Sequence, residues 1–356
     1  MKHRPRHILI LKPSSLGDVV HALPTLAVLR RHYPSSRITW LIKEEWAEML
    51  EGNPDLDDVI SVKFGLRYWP SLIGRVREQQ FDLVVDLQGL FRTGLLARVS
   101  GAAVRIGFAA SREGSSWFYT DRVELPIPMD RPWRLLPMHA VDRNLVVAQY
   151  LGADISQVGF SIPQIESDQV VVEKWLSEAG VQPEDRLIAM APLSREDVKC
   201  WPLDRFVTLA QEISHWPNCK VVLLGSDAQQ WMVKSFSRLI ETGLVNMVGT
   251  LRLRQLGPLL RHTHLLIAND SAPIHIAAAV GVPVLGFFGP THAVATGPYG
   301  TNHHRIMNTD LSCRPCGKKV CHHGIQKECL TAISVQDVVT EISQMLREAR
   351  LSPLSV

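Results

Sequence analysis

Short apolar runs alternate with amphipathic segments along this 356-residue chain, and they do so in both halves. In the first half, Ile8–Leu11, Ile38–Ile42 and Leu83–Leu87 have the apolar character of strands that are buried on both faces of a parallel sheet. The segment Val19–His32 carries apolar residues at helical spacing, and Pro34 follows its end. Strands that alternate with helices predict βαβ units and therefore an α/β fold with a parallel sheet.

The second half repeats this alternation. Its predicted strands are Leu187–Ala191, Val221–Leu224, Leu265–Ala268 and Val284–Phe288, and its predicted helices are Leu203–His215, Gln229–Glu241, Ala272–Val280 and Val335–Leu346. A chain of this length exceeds one ordinary hydrophobic core. We therefore predict an N-terminal domain at 1–165, a C-terminal domain at 166–334, and a C-terminal helix and tail at 335–356.

Composition and charge narrow the class of protein. No run approaches the ~20 apolar residues that span a bilayer, and Ile8–Leu11 is too short for a signal peptide, so we expect a cytoplasmic enzyme. Residues 1–165 hold 20 Lys and Arg against 17 Asp and Glu, whereas residues 166–356 hold 18 of each. Sixteen of those 20 cations are arginine, which suits the binding of carboxylates and phosphates. No basic tract with interleaved aromatic residues indicates nucleic acid.

Polar residues follow two of the predicted strands of the second half. Asn269-Asp270-Ser271 ends one strand, a helix that carries His275 comes next, and Gly289-Pro290-Thr291 ends the following strand. The carboxyl ends of parallel strands, beside a helix N-terminus, form a seat for a phosphate-bearing ligand. Positions four apart share a helix face, so Asp270, Ser271 and His275 are expected to line one site.

The first predicted strand runs into Lys12-Pro-Ser-Ser-Leu-Gly-Asp18. This turn lacks Gly-x-Gly-x-x-Gly, so NAD is not expected. Ser14, Ser15 and Gly17 are placed at the start of a helix, with Asp18 at or near its N-cap. From spacing alone, a capping role for Asp18 is the better interpretation.

Four of the six cysteines lie within 17 residues, as Cys313-x2-Cys316-x4-Cys321-x7-Cys329. In a reducing compartment such a cluster indicates metal more than disulfides. It lacks the two separated pairs of a usual zinc module, and His322 and His323 beside it leave the ligand set ambiguous. We favour free thiols over a metal site, and we predict no bound metal and no cofactor.

Three motifs together resemble glycosyltransferase family 9, the heptosyltransferases of lipopolysaccharide synthesis. They are Lys-x-Ser-Ser-Leu-Gly-Asp at the N-terminus, a lysine before Trp201-Pro202, and Asp-Ser with a following His and Gly-Pro-Thr. The resemblance covers nearly the full length. It implies the GT-B architecture, in which two Rossmann-like domains face each other across a cleft.

The resemblance also implies the roles of individual residues. Asp18 matches the catalytic base, and this reverses the capping interpretation. The residues that match donor-binding positions are Ser194, Lys199, Gln229, Leu251, Asp270, Ser271, Ala272 and His275. The residues that match acceptor-side positions are Lys12, Ser15, Gly17, Arg92, Arg112 and Arg143. Two positions depart from the family pattern, since Gln229 stands where Glu is common and Ala272 stands where Gly is usual.

By the same resemblance, the donor is ADP-L-glycero-D-manno-heptose and the acceptor is the lipid-linked inner core of lipopolysaccharide. The enzyme would contact the cytoplasmic face of the inner membrane peripherally. We expect no need for a divalent metal, because Lys199 and a helix N-terminus can hold the diphosphate. Three alternatives remain open: another nucleotide sugar or a polysaccharide acceptor on the same scaffold, a sugar-nucleotide epimerase, and a metal-binding accessory protein.

Overall fold

A computed structural model of the chain describes residues 4–127, 137–300 and 304–351. The chain divides into two compact units, Met1–Gln164 and Ile165–Val356. In the described part of the chain, no helix combines the length and the apolar character that crossing a membrane requires.

The first unit is built on a six-stranded parallel sheet with helices. Its strands are β1 (His7–Leu11), β2 (Arg37–Lys43), β3 (Asp58–Val62), β4 (Leu83–Asp86), β5 (Val104–Phe108) and β6 (Asp121–Val123). Its helices are α1 (Leu16–Val20), α2 (Leu23–His32), α3 (Trp69–Glu78), α4 (Phe91–Val99) and α5 (Ala140–Tyr150), with 3-10 helices at Glu44–Met49, Leu66–Tyr68 and Ser115–Phe118. The strand order is β3-β2-β1-β4-β5-β6, which is the Rossmann order.

The second unit repeats the plan. Its strands are β7 (Arg186–Ala191), β8 (Cys219–Leu223), β9 (Val245–Asn246), β10 (Leu265–Asn269), β11 (Val284–Phe287) and β12 (Arg305–Met307). Its helices are α6 (Glu166–Glu178), α7 (Leu203–Ser214), α8 (Ser237–Glu241), α9 (Leu256–Arg261), α10 (Ala272–Ala279), α11 (Ala293–Thr296), α12 (Glu328–Thr331) and α13 (Val335–Leu351). Short 3-10 helices lie at Asp197–Lys199, Asp227–Phe236 and Leu253–Gln255. The order β12-β11-β10-β7-β8-β9 is the same Rossmann order, read from the other edge.

The apolar character of the central strands explains why they lie in the middle of each sheet. Every residue of β1 and of β10 is buried, as expected for strands with helices on both faces. In the second unit, the Trp201 ring stacks on Phe287 at 4.5 Å between centroids, and Phe206 meets both rings edge-on. The C-terminal helix α13 belongs to this core, since its Val338, Ile342 and Met345 are buried in it.

The single helix predicted over Val19–His32 is wrong, because two helices occupy this segment. Helix α1 ends at Val20, and α2 begins at Leu23 with a proline in its first turn. Pro24 has no N–H to donate to the preceding turn, so it starts a helix more easily than it continues one. The break leaves the His21 carbonyl to accept a hydrogen bond from Asn144 Nδ2 at 3.1 Å, which attaches α5 to this turn.

The helix predicted over Gln229–Glu241 also differs from the structure. Most of it is a 3-10 helix, Asp227–Phe236, and only Ser237–Glu241 is α-helical. The strands β3, β5, β6, β9 and β12 were not predicted. They are short and carry polar residues among the apolar ones, so they lack the continuous apolar pattern of the central strands.

We predict that Gly107→Ala destabilises the first unit by about 1–3 kcal/mol, because a Cβ there overpacks the core. Gly107 lies on β5, and a Cβ at this position would stand 2.4 Å from the Tyr119 ring. Gly74 in α3 is the matched control, since a Cβ there meets no atom within 4 Å. Gly74→Ala should instead stabilise by about 0.5–1 kcal/mol. Urea titrations compare both variants with the parent chain; equal midpoints would contradict the prediction.

Candidate active site

Each sheet has a switch point where the direction of strand addition reverses, and ligands bind outside the carboxyl ends of the strands there. In the first unit this point lies between β1 and β4, which pair directly. Lys12 follows β1, and its Nζ donates to the Leu87 carbonyl just past β4 at 2.9 Å. The Lys12 carbonyl in turn accepts from Trp40 Nε1 at 3.0 Å. A buried lysine therefore bridges the two strand ends at the switch point.

Asp18 lies in the first turn of α1, next to this bridge. Ser15 is the N-cap residue of the helix and Asp18 lies three residues further on. Both the backbone N–H and the hydroxyl of Ser15 donate to Asp18 Oδ2, at 2.9 and 2.8 Å. Gly17, between them, accepts the His21 N–H in the same turn. The carboxylate is thus held by its own helix start.

The electrostatics of Asp18 keep it ionised. Burial alone would raise its pKa, but the Lys12 ammonium, the two Ser15 donors and Arg143 together hold the pKa of Asp18 below its ordinary value. Lys12 is the strongest of these opposing influences. At neutral pH the group is therefore a carboxylate, ready to accept a proton.

Lys12, Asp18, Arg112 and Arg143 form one charged cluster. Burial lowers the pKa of Lys12, Asp18 raises it, and Arg143 and Arg112 lower it further. Burial also lowers the pKa of Arg143 to about 10, which leaves this guanidinium charged at neutral pH. Arg143 is on α5 and is buried, whereas Arg112 is exposed. The structure thus brings five predicted residues together, counting Ser15.

Arg92 is in a different environment from the other two predicted arginines. It is in the first turn of α4, and its guanidinium carbon lies over the Phe64 ring, 4.6 Å from the centroid. A cation above an aromatic face is a favourable arrangement in itself. A role for Arg92 toward the acceptor stays a prediction.

Asp86 is a functional candidate that the sequence reasoning did not single out. It is the last residue of β4 and is fully buried. Its Oδ1 accepts the N–H groups of Gln88 and Gly89, and its Oδ2 accepts the Tyr119 hydroxyl at 2.7 Å. These bonds shape the turn whose Gly89 carbonyl accepts the Arg112 N–H. The sequence contained one indication of its importance, since Asp86 is a charged residue at the carboxyl end of an otherwise apolar predicted strand.

The switch point of the second unit lies between β7 and β10, and a second lysine bridges it. Lys199, in the loop after β7, donates from Nζ to Asp270 Oδ2 at 2.7 Å. Ser194 Oγ donates to the Asp270 carbonyl at 3.1 Å, and Thr291 Oγ1 donates to the same Asp270 carboxylate at 2.8 Å. Three of the predicted donor residues therefore meet here. Thr291, in the turn after β11, was part of a sequence motif but was not among the predicted site residues.

Asn269 fixes this arrangement, although it was not among the predicted site residues. Its buried side chain accepts the Trp201 N–H at 2.8 Å and donates to the Pro192 carbonyl at 2.5 Å. One amide therefore joins the end of β10 to both arms of the loop that carries Lys199. Its signal in the sequence was its place directly before Asp270.

The start of α10 provides the electropositive helix end. Ser271 is the N-cap residue and Ala272 the first helical residue, and the Ser271 hydroxyl donates to the Asn269 carbonyl at 3.0 Å. His275 is buried in the first turns of the helix. Backbone N–H groups and the helix dipole at such an end favour an anion.

Gln229 and Leu251 are predicted donor residues with other local surroundings. Gln229 Oε1 accepts the Ser226 N–H at 2.9 Å, which caps the 3-10 helix that follows. Its amide oxygen is therefore engaged, whereas the carboxylate common in the family would offer a second oxygen. Leu251 is half-buried after the left-handed turn at Gly249. Their contact with a nucleotide stays a prediction.

The four clustered cysteines line a cavity of about 140 Å³ together with His322 and His323. All six cysteines of the chain are free thiols. Arg314 holds this loop to the end of β11, through bonds to the carbonyls of Phe288 and Gly289 at 2.9 and 2.8 Å. Among residues 4–127, 137–300 and 304–351, no group of three or more His, Cys, Asp or Glu is arranged to hold a metal ion.

The first unit contains an Asp-x-Asp sequence, Asp55-Leu56-Asp57, a spacing at which two carboxylates could bind a divalent cation. Both are engaged within the fold. Asp57 pairs with Arg30 and accepts the Ile38 N–H at 2.7 Å, and Asp55 accepts the Ser161 hydroxyl. These bonds tie the start of β3 to its neighbours.

Comparison with known proteins agrees with this geometry. The lipopolysaccharide core heptosyltransferase OpsX of Haemophilus influenzae is 26% identical over 83% of this chain and 82% of its own. Lipopolysaccharide heptosyltransferase 1 of Pseudomonas aeruginosa is 27% identical over 95% of this chain and 98% of its own.

Among solved structures, the glycosyl transferase family 9 protein from Veillonella parvula superposes with a TM-score of 0.83 at 28% identity. That superposition covers 98% of this chain and 99% of the other. The family model "Glycosyltransferase family 9 (heptosyltransferase)" matches residues 69–326, which is more than half of the chain. Two Rossmann-like units, each with a lysine at its switch point, thus belong to a member of glycosyltransferase family 9, and this chain is a glycosyltransferase.

Proposed function

We propose that this chain transfers L-glycero-D-manno-heptose from ADP-heptose to the inner core of lipopolysaccharide, with inversion at the anomeric carbon. The observation that carries the proposal is the Asp18 carboxylate, which the two Ser15 donors hold beside the switch point of the first unit and on which the charges of Lys12 and Arg143 act. Relatives that match this chain over more than four fifths of its length are named lipopolysaccharide heptosyltransferases, which supports the substrate class.

In this proposal Asp18 is the general base toward the acceptor. The acceptor hydroxyl attacks the anomeric carbon directly, its proton passes to the Asp18 carboxylate, and the bond to ADP breaks. A carboxylate with a lowered pKa is a weak base, so proton transfer would occur late, when the hydroxyl oxygen has become acidic through bond formation. Lys12, Ser15, Gly17, Arg92, Arg112 and Arg143 would bind the anionic acceptor sugar.

The second unit would hold the donor. The Lys199 ammonium, kept in place by Asp270, would neutralise the negative charge that grows on the departing diphosphate. Such an interaction is stronger in the transition state than in the ground state and therefore raises the rate. Ser194, Ser271, Ala272 and His275 would contact the diphosphate and sugar, Gln229 the ribose and Leu251 the adenine.

The same proposal sets the location and partners. A lipid-linked acceptor made inside the cell requires a cytoplasmic enzyme that meets the cytoplasmic face of the inner membrane peripherally. Neither a cofactor nor nucleic acid takes part, and the diphosphate is held by Lys199 and the α10 N-terminus without a divalent ion.

The test is incubation of the purified chain with ADP-heptose alone and then with defined truncated cores, with product analysis by mass spectrometry. We expect the core to gain one heptose with release of ADP, equally with EDTA and with Mg²⁺. Conversion of the nucleotide sugar without acceptor would favour an epimerase. Transfer only from another nucleotide sugar, or only to a neutral polysaccharide, would overturn the substrate assignment.

Asp18→Asn should lower kcat/KM by about 10²–10⁴, the range for loss of a general base. The amide keeps the size and can still accept the Ser15 N–H, so folding and ADP affinity should be unchanged. Turnover assays and calorimetric ADP titrations measure the two effects. Asp154→Asn, an exposed aspartate of the same unit, is the control. Near-normal turnover by the Asp18 variant would refute the base assignment.

Lys12→Met should move the acid limb of the kcat/KM profile to higher pH. Lys12 is the strongest influence that lowers the pKa of Asp18, so its removal raises that pKa and protonates the base earlier as the pH falls. Profiles from pH 4 to 9 check this, with Lys63→Met at an exposed position as control. An unmoved acid limb would show that Asp18 does not set it.

Arg112→Ala should raise the acceptor KM about ten- to hundredfold, because one charge-assisted bond contributes about 1.5–3 kcal/mol. Donor affinity should change little, since the proposed donor residues are in the other unit. Rising salt should also raise the wild-type acceptor KM by screening. Arg122→Ala, exposed on β6, is the matched control. Acceptor kinetics untouched by Arg112→Ala would remove Arg112 from the acceptor site.

A further inference from the structure

Large apolar side chains are exposed near the carboxyl ends of β3, β4 and β5. Leu66 is 92% exposed, Trp117 is 78% exposed and Phe91 is 48% exposed. Leu66 lies in the 3-10 helix after β3, Phe91 begins the helix after β4, and Trp117 lies in the 3-10 helix after β5. All three elements follow strands of one parallel sheet, so they lie at the same edge as Asp18.

Contacts join these segments into one surface. The Arg92 guanidinium lies 4.6 Å from the Phe64 ring centroid, which connects the β3 segment to α4. The Phe91 ring meets the Phe118 ring edge-on at 5.3 Å, which connects α4 to the segment after β5. We call the surface formed by Phe64, Leu66, Phe91, Trp117 and Phe118 the apolar patch.

Positive charge predominates in the segments that form the apolar patch. Segments 63–75, 91–92 and 111–118 hold five cations, Lys63, Arg67, Arg75, Arg92 and Arg112, and one acid, Glu113. Lys63 is paired with Glu44 at 3.0 Å, so the arginines carry the excess. The Glu113 carboxylate accepts the Phe91 N–H at 3.1 Å. Arg67 and Arg112 are exposed. An exposed tryptophan and leucine together with exposed arginines have the chemistry that binds the interface of an anionic bilayer.

The charge also argues against self-association through this surface. A two-fold symmetric dimer places the same patch of each copy face to face. The arginines of the two copies would then oppose one another across the interface, and like charges at close range disfavour that contact. An anionic lipid surface meets the same arginines with charges of opposite sign.

We propose that the apolar patch docks this chain on an anionic phospholipid bilayer, with Leu66 and Trp117 inserted at the boundary between headgroups and acyl chains and with Arg67 on lipid phosphates. The inference deepens the proposed function, on which it rests for the lipid-borne acceptor. Arg92 and Arg112, proposed for the acceptor sugar, border the patch. Docking there would bring the headgroup sugars of a lipid to the edge of the sheet that carries Asp18.

The experiment is co-sedimentation of the full chain with two kinds of vesicle. One is phosphatidylcholine alone, and the other contains roughly 30% phosphatidylglycerol, whose anionic headgroups give the vesicle a negative surface potential. We expect binding to the anionic vesicles and loss of binding at high salt. Leu66→Ser with Trp117→Ser should weaken it at least about tenfold, because two inserted apolar side chains are removed. Arg67→Ser alone should weaken it about fivefold.

Trp231→Ser is the matched control, because Trp231 is 63% exposed and lies in the other unit. It should bind vesicles as the parent chain does. The vesicles hold no glycolipid, so binding is measured independently of transfer. With a water-soluble core oligosaccharide, the Leu66/Trp117 double variant should transfer normally, which also shows that it is folded.

Two results would overturn the docking surface. One is a double variant that binds anionic vesicles as tightly as the parent chain. The other is a parent chain that ignores vesicles but changes from oligomer to monomer, by light scattering, when Leu66 and Trp117 are replaced. In either case, continued transfer to the soluble core would leave the proposed function intact.

Discussion

The reversal of strand order in each sheet is the constraint on which the rest of the structure depends. In the first unit, β2 and β3 lie on one side of β1, and β4, β5 and β6 lie on the other. The loops that follow β1 and β4 therefore lead in opposite directions, which leaves a crevice between the ends of these two strands. The same reversal separates the loops after β7 and β10. One lysine spans each crevice, Lys12 to the Leu87 carbonyl and Lys199 to the Asp270 carboxylate. The fold therefore presents two crevices, one in each unit, and a lysine spans each of them before any ligand is considered.

The partners of the two lysines differ, and this difference separates their roles. Lys12 donates to a neutral carbonyl, so its charge also acts on the nearby, half-buried Asp18 and keeps that carboxylate ionised. Lys199 instead makes an ion pair with Asp270, whose carboxylate also accepts a hydrogen bond from Thr291. Its ammonium is thereby held in one position, and a charge fixed in advance needs little reorganisation when charge develops on a leaving group. In the proposed mechanism, the first crevice accepts the proton and the second stabilises the diphosphate.

The sequence predicted the features that depend on local pattern and missed those that depend on distant partners. Apolar runs identified β1, β2, β4, β7, β8, β10 and β11, because strands buried on both faces have a continuous apolar sequence. The break before Pro24 was missed, since apolar spacing alone runs through it. Asp86 and Asn269 were missed because their importance lies in bonds to Tyr119 and to Trp201 and Pro192, 33, 68 and 77 residues away along the chain. Such bonds exist only after the sheet has formed.

The arginines that are in excess in the first half of the sequence lie in different environments in the fold. Arg143 is buried beside Asp18, so its charge belongs to the crevice. Arg92 lies over the Phe64 ring of the apolar patch, and Arg112 is exposed next to the segment that carries Trp117. The buried Arg143 thus affects the pKa of Asp18, whereas the more exposed Arg92 and Arg112 are available to a large anionic ligand. The net excess in 1–165 is only three charges, so the positions of the arginines in the fold matter more to the proposed acceptor binding than their number does.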